Sequence, residues 1–363
     1  MKYWRGYLTA AILLACTWAL REFAKAHTVL VDMIYPYVSR MAQNFLANWS
    51  GGVTFCLWQA LVYVLLALVA VSAVLMIVFK WNPVRWGGWV CVVAAVLIFG
   101  NTCLYGLNQF SGSLAEDIRL EETDYTISEL EAAAIYYRDQ ANTLSEKISR
   151  GSDQDVAFGD FDTLAKQAAE GFENLVYEES LSVFAGPMGP VKKLSWAGIF
   201  SKRGLTGITV GLTGEAGVNP KTPAVLMPFA MCREMAKQSS IAVERDAAFA
   251  GYLACMHNSD LQFQYSGALM GYRFCLKALE SLDAVTGAGA TARVTAQESA
   301  GVKLDMMRCE EFLKNSENSD AKACDLLVSW HIQEIVLPTL VEEEELFNPL
   351  DKSQVDLSEH PDA

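Results

Sequence analysis

Residues 53–79 read VTFCLWQALVYVLLALVAVSAVLMIVF, and no charged residue occurs between Arg40 and Lys80. A spanning helix needs roughly 20 apolar residues, so this stretch is long enough to cross a bilayer. On its C-terminal side, 86–107 (WGGWVCVVAAVLIFGNTCLYGL) is also uncharged, with Trp86, Trp89 and Tyr105 near its ends, where aromatic anchors sit. On its N-terminal side, Gly6–Leu20 is apolar between Arg5 and Arg21. That segment suits a short helix with snorkelling flanks or the core of a signal peptide, with Ala24-Lys25-Ala26 as a small-x-small cleavage site. Arg21-Glu22 directly after the apolar run favours an uncleaved helix. Three spans are expected, at about 6–22, 53–79 and 86–107. The stretch 28–48 reads as an interfacial helix or as an ordinary connecting loop.

The charges divide the chain in the same place. Residues 1–107 carry seven bases and two acids, whereas 108–363 carry 21 bases and 40 acids. Overall, 28 Lys and Arg against 42 Asp and Glu leave a net charge of −14, which excludes a nucleic-acid binder held by phosphate contacts. With 52% hydrophobic and 19% charged residues the chain is too apolar for disorder or for a single soluble domain. Lys2, Arg5, Lys80 and Arg85 lie on one side of three spans, and Arg21, Lys25 and Arg40 on the other. The next base after the third span is Arg119, so the positive-inside rule puts the N-terminus inside and the acidic region outside. The expected setting is a membrane, crossed more than once, with the bilayer as partner and the C-terminal domain extracytoplasmic.

The acidic region, 108–340, reads as mainly helical with one or two short strands. Thr126-Ile-Ser-Glu129 has the form of a capping box and opens a helix to about Arg150. Phe161–Phe184 reads as a second helix, ended by Gly186-Pro187-Met188-Gly189-Pro190. From Lys192 to Pro223 the chain is rich in Gly, Thr, Val and Pro, which suits extended chain around Ile208–Leu212. Helical patterning returns in blocks at roughly 228–239, 242–257, 260–283, 291–315 and 318–336. The end, 341–363, holds eight acids and one base and reads as a solvated, disordered tail. Nine cysteines without a CxxC pair give neither a zinc ribbon nor a redox motif, and Cys309–Cys324 is the one bridge the spacing suggests.

Residues 231–252, MCREMAKQSSIAVERDAAFAGY, carry the chemistry. A zincin site places two His at i and i+4 on a helix, a Glu between them as general base, and a carboxylate downstream as third ligand. Here the two ligand positions are Arg233 and Lys237, the base position is Glu234, and Asp246, with Glu244 adjacent, supplies the downstream carboxylate. The stretch 206–269, together with LYGLNQ (104–109), the run 113–142 and the preceding spans, resembles the domain of unknown function 3810 family, multi-span bacterial membrane proteins with a metallopeptidase-like domain. The resemblance implies a zincin-like α+β domain and, where His-Glu-x-x-His is intact, zinc. The family pattern continues x-x-Gly, then Glu-x-Glu-Ala-Asn-Phe. Glu234, Glu244, Ala247 and Phe249 match it, whereas Arg233, Lys237, Ser240, Asp246 and Ala248 depart from it.

The departures remove the metal chemistry. A zinc ligand offers a lone pair, but Lys and Arg arrive protonated at pH 7 and repel a dication. No cofactor is expected, and Glu234 is a vestigial general-base position. Three carboxylates facing two cations suggest that the Lys237 ammonium takes the metal's place beside Asp246 or Glu244, that Arg233 pairs with another of the three, and that Arg245 points away. Other candidates carry less. Cys255 and His257 lie two apart on a helix, Gly211, Gly214 and Gly217 do not form the dinucleotide pattern, and His27, His331 and His360 stand alone. Tyr265-Ser266-Gly267 matches the family's local pattern without an evident chemistry.

The leading expectation is thus a membrane-anchored pseudopeptidase, with RExxK in place of HExxH, acting as a binding or structural module for a peptide or membrane-protein partner. The alternative is an active membrane-bound metallopeptidase or hydrolase using Glu234 with non-standard metal ligation. A third reading is a purely structural membrane protein with its cleft packed shut.

Overall fold

The computed structural model describes residues 4–186, 188–316 and 320–338. The acidic stretch 341–363 lies outside them. Four long helices come first: α1 (Arg5–Ala26), α2 (Thr28–Gly51), α3 (Leu57–Val78) and α4 (Pro83–Leu104). Among the described residues, α1, α3 and α4 are long and apolar enough to cross a membrane. Asn82 caps α4, accepting from the Arg85 amide, and Pro83 occupies its first position, where a missing N–H costs nothing. α1 and α4 cross where Gly6 meets Gly88 backbone to backbone.

The 28–48 stretch is continuous helix through Pro36. Its i, i+4 row of Val31, Ser39, Gln43 and Ala47 is buried, and it lies across the end of α4. Tyr35 donates its hydroxyl to the Thr102 and Cys103 carbonyls, and Ser39 and Gln43 donate to the Leu104 carbonyl. The last carbonyls of α4, which no helical amide reaches, thereby find partners.

Beyond α5 (Leu114–Asp117), the core is built on α6 (Ile127–Ser145), α10 (Met227–Gln238), α11 (Glu244–Met256), α12 (Leu261–Thr286) and α15 (Asp320–Trp330). The expected capping box opens α6: Glu129 N–H donates to Thr126 Oγ1, and Thr126 N–H donates back to the Glu129 carboxylate. α6 ends at Ser145, short of Arg150, whose guanidinium reaches Asp305 at 2.7 Å. The expected 161–184 helix is two, α7 (Phe161–Gln167) and α8 (Glu170–Glu178). The 291–315 block also divides, into α13 (Ala290–Thr295) and α14 (Ala300–Leu313), because Ser299 accepts from the Val302 amide and starts a new helix. Cys324 lies against Cys275, not Cys309.

The extended segment is a three-stranded sheet in the order β1 (Lys192–Lys193), β3 (Glu215–Val218), β2 (Gly207–Val210). α9 (Ala197–Lys202) connects β1 to β2. β2 and β3 form an antiparallel hairpin turning at Gly214, whose φ of 64° a side chain would disfavour. β1 runs parallel to β3, and β2 is left at the sheet's edge.

Candidate functional site

α10 packs against the sheet on one side and α11 on the other, which brings the motif's side chains between them. Residues i, i+1 and i+4 of α10 point into that gap as Arg233, Glu234 and Lys237, and the first residue of α11 answers them as Glu244. The Glu234 Oε1 lies 3.2 Å from Lys237 Nζ and 3.1 Å from an Arg233 terminal nitrogen. Glu244 lies 2.6 Å from the same Lys237 Nζ and 3.2 Å from the other Arg233 terminal nitrogen. Each cation therefore touches both carboxylates, so two positive and two negative charges close a square. The Lys237 ammonium does lie between carboxylates, as the charge count suggested, but they are Glu234 and Glu244.

Asp246 is not part of this site. Two residues on a helix are separated by about 200°, so Glu244 and Asp246 face opposite ways. Asp246 is buried, accepting from the Leu114 amide at 3.0 Å and from Arg245 at 3.1 Å. Arg245 points away, as expected, and also grips Glu122. The pair Arg245–Asp246 ties α11 to the start of α5 instead of lining the site.

The square is graded from closed to open. Glu234 is fully enclosed, Lys237 and Arg233 are 15% and 17% exposed, and Glu244 is 37% exposed. Burial pushes the Glu244 carboxyl up, but the Arg233 and Lys237 charges outweigh it and hold it below the usual carboxylate value. Thr209 Oγ1 sits 3.0 Å from the second Glu234 oxygen, and Thr206 Oγ1 accepts from Arg233 at 2.6 Å. Thr209 of β2 and Thr206 just before it were missed in the sequence, since a spacing of three on extended chain does not place two side chains on one face. Gly207 permits the approach, because a Cβ there would lie 2.5 Å from Glu234 Cγ.

α10 ends in a Schellman turn: Ser240 N–H donates to the Lys237 carbonyl and Ile241 N–H to Ala236. The C′ residue of that turn needs the left-handed conformation, and Ser240 has φ of 74°. Its hydroxyl meets that of Ser39 on α2 at 3.1 Å. The Tyr265-Ser266-Gly267 run finds a packing role. Tyr265 donates to Asp305 at 2.6 Å, Ser266 accepts from the Phe229 amide in the first turn of α10, and Gly267 leaves room for Cys255. His257 lies 3.6 Å from Glu178, away from the site.

A cleft of about 680 Å³ opens over the square, with Arg203–Gly207 along one wall and Phe229, Met270 and Leu313 among its apolar lining. It is not packed shut. Among the described residues no group of three or more His, Cys, Asp and Glu side chains is arranged to hold a metal ion.

The profile of the family described as a protein of unknown function (DUF3810) matches residues 31–327, most of the chain, and the protein belongs to that family. No curated protein and no solved structure matches the chain.

Proposed function

We propose that this family member is a catalytically inactive relative of zinc peptidases whose cleft binds an extended polypeptide. One observation carries the reading: the Lys237 ammonium stands 3.2 Å from Glu234 and 2.6 Å from Glu244, where a zincin would hold its ion between base and third ligand. A dication entering the square would meet two fixed positive charges at contact distance. The base position is spent as well, since Glu234 receives Arg233, Lys237 and Thr209 and is closed to solvent. What persists is the cleft and the outer edge of β2 beside it, an arrangement suited to adding a peptide strand.

Metal titration of the purified full chain tests this. The wild-type protein is expected to hold no zinc after dialysis, whereas Arg233→His with Lys237→His is expected to bind it through two imidazoles and Glu244. Stoichiometric zinc in the wild type would overturn the reading in favour of an enzyme. We also propose that the domain faces the extracytoplasmic side of a bacterial membrane, supported by the distribution of Lys and Arg around the spans. Val285 is 85% exposed, so an added thiol of Val285→Cys is expected to react with an impermeant maleimide in intact cells. Reaction only after lysis would reverse the orientation.

A further inference from the structure

α2 presents two unlike faces. Toward the protein it turns Ser39, Gln43, Ala47 and Ser50, all buried. On the opposite side nine large apolar residues are exposed, and the row Met33, Tyr37, Met41, Phe45 and Trp49 recurs every fourth residue along almost the whole helix. Met41 and Phe45 are each 71% exposed. Such a stripe, about 24 Å from Met33 to Trp49 at 1.5 Å per residue, is larger than a water-soluble surface tolerates. α2 nevertheless falls short of the apolarity of a span.

Its surroundings fix its level. One residue separates α1 from α2, and five separate α2 from α3. Its side chains Tyr35, Ser39 and Gln43 take up the last carbonyls of α4. The helix therefore lies where all three apolar helices have their ends on the side of the folded domain. Arg21 and Lys25, in the last turns of α1, stand at the same level.

A second element reaches that level independently. Trp196, immediately before α9, donates its indole N–H to the Tyr63 hydroxyl and packs edge-on against Trp58. Tyr63 is six residues into α3, about 9 Å along its axis from Leu57. Ile199 on α9 is 63% exposed. Tyr and Trp flanked by apolar residues are the composition of a headgroup-level belt.

We infer that the outer face of α2 and the Trp196–Ile199 corner of α9 are seated in the headgroup layer of the bilayer on the domain's side. Lipid, not a second copy or a protein partner, is the occupant, because α2 follows the apolar α1 after one residue, Trp196 is anchored on the apolar α3, and Arg21 and Lys25 at that height match anionic headgroups. The seat also sets the height of the cleft. Its wall, Arg203–Gly207, follows α9 directly, so under the reading above the cleft opens close to the bilayer surface.

The test reads lipid at α2 whatever the cleft binds, so its failure and that of the peptide reading are separable. Met41→Cys and Phe45→Cys, each with exposed Cys16 and Cys91 changed to Ser, are spin-labelled in the full chain and reconstituted in phosphatidylethanolamine and phosphatidylglycerol vesicles. Val285→Cys in the same background is the aqueous control. At 41 and 45 molecular oxygen is expected to collide several-fold more often than a water-soluble nickel chelate, with the ratio inverted at 285. Chelate collisions dominating at 41 and 45 would place the face in water, and exclusion of both reagents would place it against protein; either result overturns the inference. If the labelled variants fail to fold, photolabelling of wild-type protein with a headgroup diazirine lipid decides it: adducts in 29–49 and at 196–199 support the seat, and their absence overturns it.

Discussion

Two clusters of paired opposite charges flank the small sheet, one on each side, and they differ in how they treat water. At the β1–β3 pairing, Lys192 and Glu215 lie 2.6 Å apart with side chains 3% and 0% exposed. Both groups have further partners: Glu215 accepts from the Leu57 and Trp58 amides at 2.8 Å each, and Lys192 donates to the Ser50 carbonyl. That carboxylate caps α3 from another part of the chain, so the pair welds the sheet to the head of a span. The Arg233, Glu234, Lys237, Glu244 square uses the same chemistry but leaves Glu244 open to a cleft. The difference teaches that a charge cluster closed on all sides fixes architecture, while one with an open member leaves charge facing a cleft.

The largest effect is therefore expected at the closed cluster. Glu215→Ala strands a buried ammonium and uncaps α3, which should lower stability by about 3–5 kcal/mol, or abolish accumulation of folded protein. Urea unfolding in detergent micelles measures it. A loss under about 1 kcal/mol would mean that the two clusters do not differ in kind.

Next comes the open cluster. Lys237→Met leaves Glu234 with Arg233 still beside it, so a loss of about 1–3 kcal/mol is expected, between the values of exposed and buried pairs. A smaller loss would make the square a solvated face and remove the structural basis for reading Lys237 as a replacement for the ion.

The two clusters were not equally legible in the sequence. The square announced itself because i, i+1 and i+4 on one helix share a face, and a carboxylate followed at the start of the next helix. Asp246 was wrongly grouped with it because a pattern of residue types carries no helical phase: two residues' separation turns the side chain to the far face. The weld was invisible. Lys192 and Glu215 are 23 residues apart, and β1, two residues long, owes its existence to pairing with β3 and not to its own composition. The spans were the most legible part, since lipid demands an unbroken apolar run. α2 stood between readings because one of its faces is polar enough for protein and the other apolar enough for lipid.

Acid should separate the clusters further. The folded Glu244 carboxyl sits below the ordinary value, so its contribution is fully present above the unfolded value of about 4.3 and is lost as pH falls through the folded one. Because Glu244 is 37% exposed, solvent screening should hold the loss to under about 1 kcal/mol. Stability measured from pH 6 down to 3 is expected to fall less steeply in Lys237→Met, where one of the charges holding Glu244 ionised is gone. Parallel curves for variant and wild type would break the link between Lys237 and Glu244.

The smallest effect is expected at the junction between the clusters. α2 reaches one cluster and the end of the helix that carries the other, since the Ser50 carbonyl accepts from Lys192 and the Ser39 hydroxyl meets Ser240 just after α10. Ser240 holds a φ of 74°, and Gly at this position would relieve roughly 1 kcal/mol of backbone strain. Ser240→Gly also deletes the hydrogen bond to Ser39, worth about 0.5–1.5 kcal/mol. Ser39 keeps the Leu104 carbonyl and the Asn108 amide as partners, which limits that loss. The two terms nearly cancel, so the variant should unfold within about 1 kcal/mol of wild type. A clear destabilisation would show that the Ser39–Ser240 contact, and with it the attachment of α2 to the site helix, matters more than the strain it maintains.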